Sequence, residues 1–466
     1  MVVLLTTLVV VLNIISAYSS SWEFDVPVLP GYPGPLPFKL QTGYVGVGDE
    51  DERQLFYYLI ESEGDPVRDP LLFWFPGGPG VSGFYALVCE IGPLKFDYEA
   101  FDEDLPSLVA NPYSWTKFAS VLFIDAPAGA GFSYATSENG YAVSDTIAAE
   151  HNYMFLRKWL LSHPSFIRNR FYLAGDSYGG KTVALLASEI IKGNEAGLEP
   201  QIRFQGYMIG NPVVDEDKDH NEQTPFAHRM GLISDEYFEM AKSSCGGEYV
   251  NPDPNNVECK YALQLVKECI QHINPQHILE PKCREYPVIQ RLDNSTFGSK
   301  EQRPINFLLL PKQERHFCRA NGYVLSALWA NNSTVREALH VREGTVGDWI
   351  EFNHSIPYEH NVASAFEHHR LLSKKGLHVL VYSGDHDLSI PYMSTLKWIH
   401  RLNISVDEQW RPWMVDGQVG GYTEKYMNKK VFLTFATIKG GGHTAPEYMP
   451  KECFAMADRW LSSYPL

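Results

Sequence analysis

The chain has 466 residues, of which 44% are hydrophobic and 20% are charged, a composition typical of folded globular proteins and not of disordered or fibrous ones. Its formal net charge is −17, and no cluster of lysine and arginine interrupts that excess. An acidic surface repels phosphate groups, so the composition argues against a nucleic-acid partner. At this length we expect one large core that carries an insertion.

The N-terminal segment 1–19 has the pattern of a secretory signal peptide. An apolar run that starts at Val2 ends in small residues at Ala17 and Ser19. The run is shorter than the ~20 apolar residues that a membrane span needs, and no later segment reaches that length. We therefore predict a signal peptide at 1–19, a vacuolar or extracellular destination along the secretory pathway, and no stable membrane anchor.

Short apolar runs bounded by turn residues predict buried parallel strands at 71–75, 121–124, 171–174, 207–209, 378–382 and 432–438. Between these runs, residues 141–161 and 181–191 repeat apolar side chains at helical spacing. Alternating strands and helices are typical of a wound, mostly parallel sheet. The sequence therefore predicts an α/β fold.

Residues 213–320 differ from the rest of the chain, because they hold most of the cysteines, many charged side chains and few strand-like runs. We predict that they form a cap inserted between two core segments, 20–212 and 321–466. Within the cap, residues 284–315 are polar and lie between Cys283 and Cys318. This composition predicts a surface loop that is open to proteolysis.

Two further features fit an oxidising secretory compartment. The chain has 7 cysteines, an odd number, so a few disulfides and at least one unpaired thiol are expected. Asn-x-Ser/Thr triplets predict glycans on surface loops, at Asn294, Asn331, Asn332, Asn353 and Asn403.

A Gly-Asp-Ser-Tyr-Gly motif at 175–179 follows a predicted strand and precedes a predicted helix. This arrangement is typical of a nucleophile elbow, in which small residues permit the sharp turn that exposes a serine hydroxyl. The helix N-terminus behind the serine also favours developing negative charge. We therefore predict that Ser177 is a nucleophile.

A serine hydroxyl is too weakly acidic to attack a carbonyl group unaided, so it needs a histidine base that a carboxylate orients. The predicted strand at 378–382 leads into Asp387, and the one at 432–438 leads into His443. The order Ser, Asp, His along the chain is that of the α/β-hydrolase fold. We predict this fold, with Ser177, Asp387 and His443 as the catalytic residues.

Acyl transfer also needs backbone N–H groups that point at the oxyanion of the tetrahedral intermediate. One donor is the residue after the nucleophile, Tyr178, and the other lies in the loop after an earlier strand. Glycines in the loop at 77–80 permit close backbone approach, and we predict Gly78 as the second donor. No cofactor is predicted, and no metal site, because the histidines and cysteines lack ligand spacing. Cys89 lies in an apolar stretch and is expected to be buried.

The chain resembles plant serine carboxypeptidase-like proteins over nearly its whole mature length. The matching motifs are Gly-Gly-Pro-Gly at 77–80, Glu-Ile-Gly-Pro at 90–93, Tyr-Ser-Trp at 113–115, Gly-Ala-Gly-Phe-Ser-Tyr at 129–134, Gly-Asp-Ser-Tyr at 175–178, Gly-Asn-Pro at 210–212, Gly-Asp-His-Asp at 384–387 and Gly-Gly-Gly-His at 440–443. The family places its catalytic acid at the second Asp of the Gly-Asp-x-Asp motif. The resemblance therefore implies Asp387 and not Asp385.

Peptidase members of that family grip the C-terminal carboxylate of a peptide with Trp, Asn and two Glu side chains. The matching positions here are Trp74, Pro76, Glu90 and Asp176. Proline has no side-chain amide and no N–H group, and aspartate is one methylene shorter than glutamate. By resemblance, the carboxylate clamp is broken at Pro76 and altered at Asp176, while Trp74, Glu90 and Asp176 stay candidate substrate-binding residues.

Aspartate before the serine is similar to the acyltransferase branch of the family, as are Trp-Ala-Asn-Asn at 329–332, Arg-Pro-Trp at 411–413 and Gly-Tyr-Thr at 421–423. Members of that branch move acyl groups from 1-O-β-glucose esters to small acceptors. The resemblance implies the same partners here, an acyl glucose donor and a small acceptor. Two alternatives stay open: a serine carboxypeptidase, and a non-catalytic companion that only binds or scaffolds.

The resemblance also implies two disulfides, Cys245–Cys259 and Cys283–Cys318. The second would link two chains if the loop at 284–315 were cleaved. Spacing alone equally permits a bond between Cys269 and Cys283.

Relatives usually carry another pair of cysteines at two positions where this chain has Val81 and Phe352. Both halves of that disulfide are missing together. A disulfide stabilises by restricting the chain that it closes. Its loss therefore predicts that the loop bearing Gly78 is less firmly tethered.

Overall fold

We describe a computed structural model of the protein, which covers residues 22–97, 105–282, 319–428 and 431–466. The predicted signal peptide at 1–19, the Asn294 triplet, the loop at 284–315 and the Cys283–Cys318 pair lie outside these residues. No helix in the described ranges is both long enough and apolar enough to cross a membrane.

The strands are β1 (Trp22–Asp25), β2 (Leu40–Val47), β3 (Arg53–Ile60), β4 (Leu71–Phe75), β5 (Leu94–Phe96), β6 (Leu108–Ala110), β7 (Ser120–Ile124), β8 (Tyr134–Ala135), β9 (Val143–Ser144), β10 (Phe171–Asp176), β11 (Phe204–Gly210), β12 (Tyr358–Glu359), β13 (His378–Gly384), β14 (Val406–Val415), β15 (Gln418–Asn428) and β16 (Val431–Ile438). Over the described residues, the main sheet runs in the order β1-β2-β3-β7-β4-β10-β11-β13-β16-β15-β14, with β8 beside β3. The pairs β5–β6 and β9–β12 are separate.

The centre of this sheet is parallel and its two ends are antiparallel. Strands β7, β4, β10, β11, β13 and β16 are consecutive neighbours and run parallel. These are the six strands that the sequence predicts. In β4, Leu72 and Trp74 enter one buried layer, whereas Leu71 and Phe73 enter the layer on the opposite face. Burial on both faces explains why the central strands are continuous apolar runs.

The helices are α1 (Gly83–Tyr85), α2 (Asp145–Ser162), α3 (Gly179–Glu195), α4 (Glu216–Asn221), α5 (Gln223–Arg229), α6 (Asp235–Cys245), α7 (Val257–Ile270), α8 (Ala320–Ala330), α9 (Ser333–Ala338), α10 (Phe366–Leu372), α11 (Tyr392–Arg401), α12 (Ala445–Tyr448) and α13 (Pro450–Leu461), and a π-helical turn spans Ala86–Glu90. Helices α2 and α3 pack on one face of the sheet, and α8 and α13 pack on the other. This layered α/β architecture is the predicted α/β-hydrolase fold.

Both predicted helices are present, with different starts. Helix α2 begins at Asp145 because the Ser144 side chain accepts a capping hydrogen bond from the N–H of Ile147. The preceding residues form a short turn and β9, so the helix predicted from 141 starts later than expected. Helix α3 starts two residues earlier than predicted, at Gly179, immediately behind the predicted nucleophilic serine.

Helices α5 to α7 share a hydrophobic cluster, which includes Phe226, Ala241 and Val266 and reaches Leu388 of the core. The predicted bond between Cys245 and Cys259 is present and joins the end of α6 to α7. Cys269 has an exposed thiol, unpaired within the described residues, and its alternative pairing with Cys283 involves a residue outside them and stays a prediction. The cap boundaries at 213 and 320 stay a prediction.

Candidate active site

Ser177 lies at the end of β10, in the turn that leads into α3. Its φ of 53° falls in the left-handed region, which few residues other than glycine adopt. The Ser177 N–H donates to the Gly210 carbonyl oxygen at 2.9 Å, and its own carbonyl accepts from Val213 at 2.8 Å. A Cβ at Gly175 would lie 2.3 Å from the Phe75 carbonyl oxygen, so only glycine fits there. The turn is therefore held by backbone contacts on both sides.

The side chains of Ser177, His443 and Asp387 form one hydrogen-bonded chain. The Ser177 hydroxyl and His443 Nε2 are 2.8 Å apart, and His443 Nδ1 lies 2.7 Å from Asp387 Oδ2. Because an ionised carboxylate only accepts, Nδ1–H donates to Asp387 and Nε2 is left to accept the serine proton. The arrangement has the geometry of an activated serine nucleophile.

Asp387 is fully buried and has two further donors. The side-chain amide of Asn211 donates to Oδ2 and the N–H of Ser389 donates to Oδ1, each at 2.7 Å. The amide oxygen of Asn211 accepts in turn from the N–H of Gly384 at 3.0 Å. Sequence reasoning did not assign Asn211 a role, although the Gly-Asn-Pro motif at 210–212 contains it. It orients the carboxylate that orients the histidine.

Burial opposes a charge on His443, but the Asp387 carboxylate, its hydrogen bond and the charge of Asp176 together raise the pKa of His443 above its ordinary value. Imidazolium is therefore stabilised at this position. A histidine of this kind accepts a proton from serine and holds it until the leaving group takes it.

A segment of the predicted cap fastens the two loops that carry Asp387 and His443. The carbonyl of Pro275 accepts from the N–H groups of Leu388 and Ser389 at 2.9 and 3.0 Å. The carbonyl of Gln276 accepts from the N–H of His443 at 2.8 Å. These contacts involve only backbone groups, so no side-chain pattern in the sequence could predict them.

The glycine loop after β4 lies directly against the serine. A Cβ placed on Gly77 would lie 3.0 Å from Ser177 Oγ and 3.6 Å from the Tyr178 nitrogen, so the loop borders the same space as the Tyr178 N–H. Gly78 follows with a φ of 114°, which an L side chain rarely adopts. Neither the Gly78 N–H nor the Tyr178 N–H donates to another group within the described residues. Both predicted oxyanion donors are therefore free for a ligand.

The loop is anchored where relatives carry a disulfide. Val81 and Phe352 form an antiparallel bridge, flanked by hydrogen bonds from Ser82 N–H to the Glu351 carbonyl at 2.9 Å and from Asn353 N–H to the Gly80 carbonyl at 3.1 Å. The expectation that the loop is less firmly tethered than in disulfide-bonded relatives stays a prediction. Backbone pairing holds the two positions together without the cysteines.

Trp74, Glu90 and Asp176 lie together under the serine, and each is almost fully buried. The indole nitrogen of Trp74 and the carboxylate oxygens of Glu90 and Asp176 are buried, and their hydrogen-bonding partners in the described structure lie within this trio. Burial raises the pKa of Asp176 to about 6. Burial and the neighbouring Asp176 raise the pKa of Glu90 well above its usual range. At mildly acidic pH the two carboxyl groups are therefore prepared to share a proton.

A second buried acid, which the sequence did not indicate, lies next to this pair. Glu447 Oε2 accepts from the hydroxyl groups of Tyr85 and Thr444, each at 2.9 Å. Burial and the charge of Glu447 raise the pKa of Glu351 to about 8. Cys89 is buried among these groups with a free thiol, and burial raises the pKa of that thiol well above its usual value. Among the described residues, no group of acids, histidines and cysteines is arranged to hold a metal ion.

The Asn-x-Ser/Thr triplets differ in how much of the asparagine amide is used. Asn331 donates to the carbonyls of Ala327 and Trp349, each at 2.9 Å, so both of its amide hydrogens are engaged. Asn332 uses only its oxygen, as the cap of α9. Asn353 donates to the Gly129 carbonyl, and Asn403 is exposed.

The fold and the hydrogen-bonded side chains of Ser177, His443 and Asp387 define the chain as an α/β-hydrolase with a serine-histidine-aspartate site. The serine carboxypeptidase family profile matches residues 30–463, and the chain belongs to that family. Serine carboxypeptidase-like 17 of Arabidopsis thaliana is 44% identical over 438 residues, which cover 94% of this chain and 93% of that protein. Serine carboxypeptidase-like 14 of the same plant is 45% identical over 441 residues, with 95% and 94% covered.

Among solved structures, a prohormone-processing carboxypeptidase from Saccharomyces cerevisiae superimposes with a TM-score of 0.70. The two chains are 18% identical, and the match covers 94% of each. At that identity the likeness establishes a shared fold and nothing about the substrate.

Proposed function

We propose that this protein is a serine-dependent acyltransferase, which moves an acyl group from a 1-O-β-glucose ester to a small-molecule acceptor. The observation that carries the proposal is the altered clamp beside Ser177. Pro76 replaces the Asn of the peptidases and can donate no hydrogen bond, and Asp176 replaces a longer glutamate. A peptide carboxylate would therefore lack one of its donors in this site.

In the proposed reaction, Ser177 Oγ attacks the ester carbonyl while His443 Nε2 takes its proton. Asp387 stabilises the imidazolium that forms, and the N–H groups of Gly78 and Tyr178 stabilise the oxyanion. The bond from the acyl carbon to the glucose oxygen then breaks, and His443 passes its proton to that oxygen. The product of this half-reaction is an acyl group esterified to Ser177, with free glucose.

In the second half-reaction an acceptor hydroxyl takes the place of glucose. His443 removes its proton, the hydroxyl oxygen attacks the acyl carbon, and the bond to Ser177 Oγ breaks as the serine regains its proton. Transfer competes with hydrolysis by water, so it requires an acceptor that is bound close to the ester. Trp74, Glu90 and Asp176 are the proposed contacts for the donor sugar or the acceptor, because they lie beside Ser177 and their polar atoms have no partner outside this trio in the described structure.

A carboxypeptidase is the second candidate. The observation that favours it is that Trp74, Glu90 and Asp176 keep a buried indole and two carboxyl groups next to the serine. A proton shared by the two carboxyl groups would donate to a peptide carboxylate. A non-catalytic companion is the third candidate, and the aligned triad side chains disfavour it.

We also propose that the protein reaches the vacuole or the extracellular space through the secretory pathway. The disulfide between Cys245 and Cys259 supports this destination, because such bonds persist in oxidising compartments. We also propose that cleavage within the loop at 284–315 divides the protein into two disulfide-linked chains.

The test is an assay of the glycosylated protein, made in a plant host, with a panel of hydroxycinnamoyl and benzoyl glucose esters, mixed acceptors and a blocked dipeptide. We expect mass spectrometry to find an acylated acceptor that disappears in Ser177→Ala. Release of the C-terminal amino acid without any transfer product would show that the protein is a carboxypeptidase. A protein whose Ser177 fails to react with a fluorophosphonate would instead be the companion.

A matched variant tests the argument from the clamp itself. Pro76→Asn combined with Asp176→Glu restores the side chains of the peptidases. If the clamp determines the reaction, the double variant should gain hydrolysis of the blocked dipeptide relative to wild type. Hydrolysis at an unchanged rate would show that these two positions do not select the substrate.

A further inference from the structure

The side chain of Tyr178 belongs to a hydrogen-bond network that the proposed reaction does not use, in which Asp145 and Lys181 are buried and His360 is exposed. Its hydroxyl donates to Asp145 Oδ1, at the start of α2. The same oxygen lies 2.9 Å from His360 Nδ1 and 3.3 Å from Lys181 Nζ. The residue that follows the nucleophile is thus connected to three other parts of the chain.

The number of available protons determines which groups in the network donate and which accept. A phenol has one proton, and here it goes to Asp145. The Tyr178 oxygen must therefore accept from both Lys181 and His360, which places a proton on His360 Nδ1. Asp145 accepts further from the hydroxyl of Tyr358 at 3.1 Å and from the N–H of Val362 at 2.8 Å. Hydrogen bonds that involve charged groups are among the strongest in proteins.

Lys181 and Asp145 are 1% and 2% exposed, so two opposite charges are buried on either side of one phenol oxygen. The Lys181 ammonium also lies 4.6 Å from the centre of the Tyr178 ring. Buried charges are costly unless they are paired, and these two are linked through the Tyr178 hydroxyl. The pairing of these two charges therefore fixes the position of the Tyr178 hydroxyl.

Val213 and Ile390 pack with the Tyr178 ring, and a cavity of about 20 Å³ adjoins it, with Pro76, Gly77 and Thr182 among the lining residues. That cavity has room for about one water molecule. Without its hydrogen bonds the ring would have this small space, beside the glycine loop, into which to shift. Because Tyr178 directly follows Ser177, such a shift would tilt the peptide bond whose N–H faces the oxyanion.

We propose that Asp145 and Lys181 are positioning residues for acyl transfer: through the Tyr178 hydroxyl they hold the Tyr178 N–H in line with the oxyanion. The proposal rests on the proposed function in so far as Ser177 forms an acyl-enzyme. It makes no use of the identity of the acyl group or of the acceptor.

The test measures the rate of acylation by an activated p-nitrophenyl ester in single-turnover experiments. Tyr178→Phe removes the hydroxyl and keeps the N–H. We expect the acylation rate to fall about 10- to 100-fold, less than the loss of a whole oxyanion donor, with KM within about twofold of wild type. A boronic acid, which forms a tetrahedral adduct with the serine, should bind more weakly by a similar factor.

Two variants of Asp145 guard against a folding defect in Tyr178→Phe. Asp145→Ala should lower the acylation rate as Tyr178→Phe does. Asp145→Asn keeps an oxygen that accepts from Tyr178 and should recover most of the rate. Failure of the conservative variant to recover more rate than the alanine variant would overturn the proposal.

Tyr207→Phe is the matched control. Tyr207 is also buried, and its hydroxyl lies 2.9 Å from a histidine nitrogen, Nδ1 of His369, at a site remote from the serine. We expect it to lower the melting temperature as Tyr178→Phe does, without changing the acylation rate or the affinity for the boronic acid. Equal rates in the two phenylalanine variants would show that the Tyr178 network only stabilises the fold.

These outcomes are independent of the outcome for the donor substrate. If glucose esters fail as donors while the activated ester still acylates Ser177, the proposed function fails and the positioning role is judged on the variants alone. If wild-type Ser177 is not acylated by the activated ester, both proposals are overturned.

Discussion

The two sides of Ser177 differ in how completely the protein satisfies its own polar groups. On one side, His443 and Asp387 have donors and acceptors at 2.7 to 2.8 Å, and Asn211 completes the set. On the other side, the carboxylate oxygens of Glu90 and Asp176 have no partner outside their trio with Trp74 in the described structure. Unsatisfied buried polar atoms cost free energy, so a protein tolerates them mainly where a ligand or a shared proton completes them. The comparison separates a fully hydrogen-bonded triad from a buried pair of acids whose oxygens the surrounding structure leaves without partners.

The largest effect should follow from breaking the satisfied side. Asp387→Asn keeps the shape of the side chain but removes the charge that stabilises the imidazolium and fixes its tautomer. We expect the acylation rate to fall about 10⁴-fold, with fluorophosphonate labelling slowed in parallel. A loss below tenfold would mean that Asp387 is not the acid partner of His443. Asp385→Asn, the other aspartate of the motif, is the control.

The next effect concerns the loop between the two sides. In the bridge between Val81 and Phe352 the flanking hydrogen bonds mark a closely spaced pair, at a Cα separation of about 4.5 Å, which suits a disulfide. We expect Val81→Cys with Phe352→Cys to form one and to stabilise the fold by about 2–4 kcal/mol. Melting temperatures with and without a reductant measure the gain. An unchanged melting temperature would show that the backbone pairing already removes all freedom.

A third prediction extends the comparison to two neighbouring asparagines. Asn331 has every polar atom bonded, including its oxygen, which accepts from the N–H of Trp349 at 2.7 Å, whereas the amide nitrogen of Asn332 makes no hydrogen bond among the described residues. Asn331→Gln should destabilise the protein by about 1–3 kcal/mol and leave the predicted glycan on Asn332 in place. Asn332→Gln should remove the glycan. A glycopeptide carrying sugar on Asn331 would contradict this assignment.

The smallest effect is a shift of pH dependence. His443 must be neutral to accept a proton, so acylation should rise as pH increases through a pKa above the ordinary histidine value. The Asp176 charge contributes to that raised pKa. Asp176→Asn should therefore lower the pKa of His443 and move the acid limb of the pH profile to lower pH.

The measurement for this last variant is kcat/KM for an activated ester between about pH 4 and 9. Glu90→Gln is the comparison, because the charge of Glu90 is not among the main influences on His443. The expected order of the acid limbs is Asp176→Asn below both Glu90→Gln and wild type. An unchanged acid limb in Asp176→Asn would show that the charge of Asp176 does not influence the pKa of His443.

The sequence predicted the part of the fold in which local pattern and burial coincide. The six central strands are buried on both faces, so their apolar runs could be recognised without knowing their neighbours. The outer strands were not predicted, because one face is solvated and charged side chains interrupt the run, as in β14 (Val406–Val415). Their pairing depends on a sheet edge that is already present.

The candidate site divides in the same way. Ser177, Asp387 and His443 each follow a recognisable strand, and parallel strands bring such loop residues to one edge of the sheet. The role of Asn211 depends on the fact that β11 lies next to β13, which no local pattern states. The contacts of Pro275 and Gln276 are made by carbonyl groups, which every residue has. Sequence reasoning therefore located the reacting groups and missed much of what holds them in place.

The backbone hydrogen bonds that Pro275 and Gln276 make to the loops bearing Asp387 and His443 divide the predicted insertion into two parts with different tolerance to exchange. Helices α5 to α7 pack around an apolar cluster that also includes Ile278 and Leu388, and they could be exchanged for those of a relative. The short segment that receives the His443 and Ser389 N–H groups must be kept with the core. When caps are exchanged between relatives, the junction should therefore lie after Ile270 and before Pro275. This position is inside the cap boundaries, 213 and 320, that composition suggests.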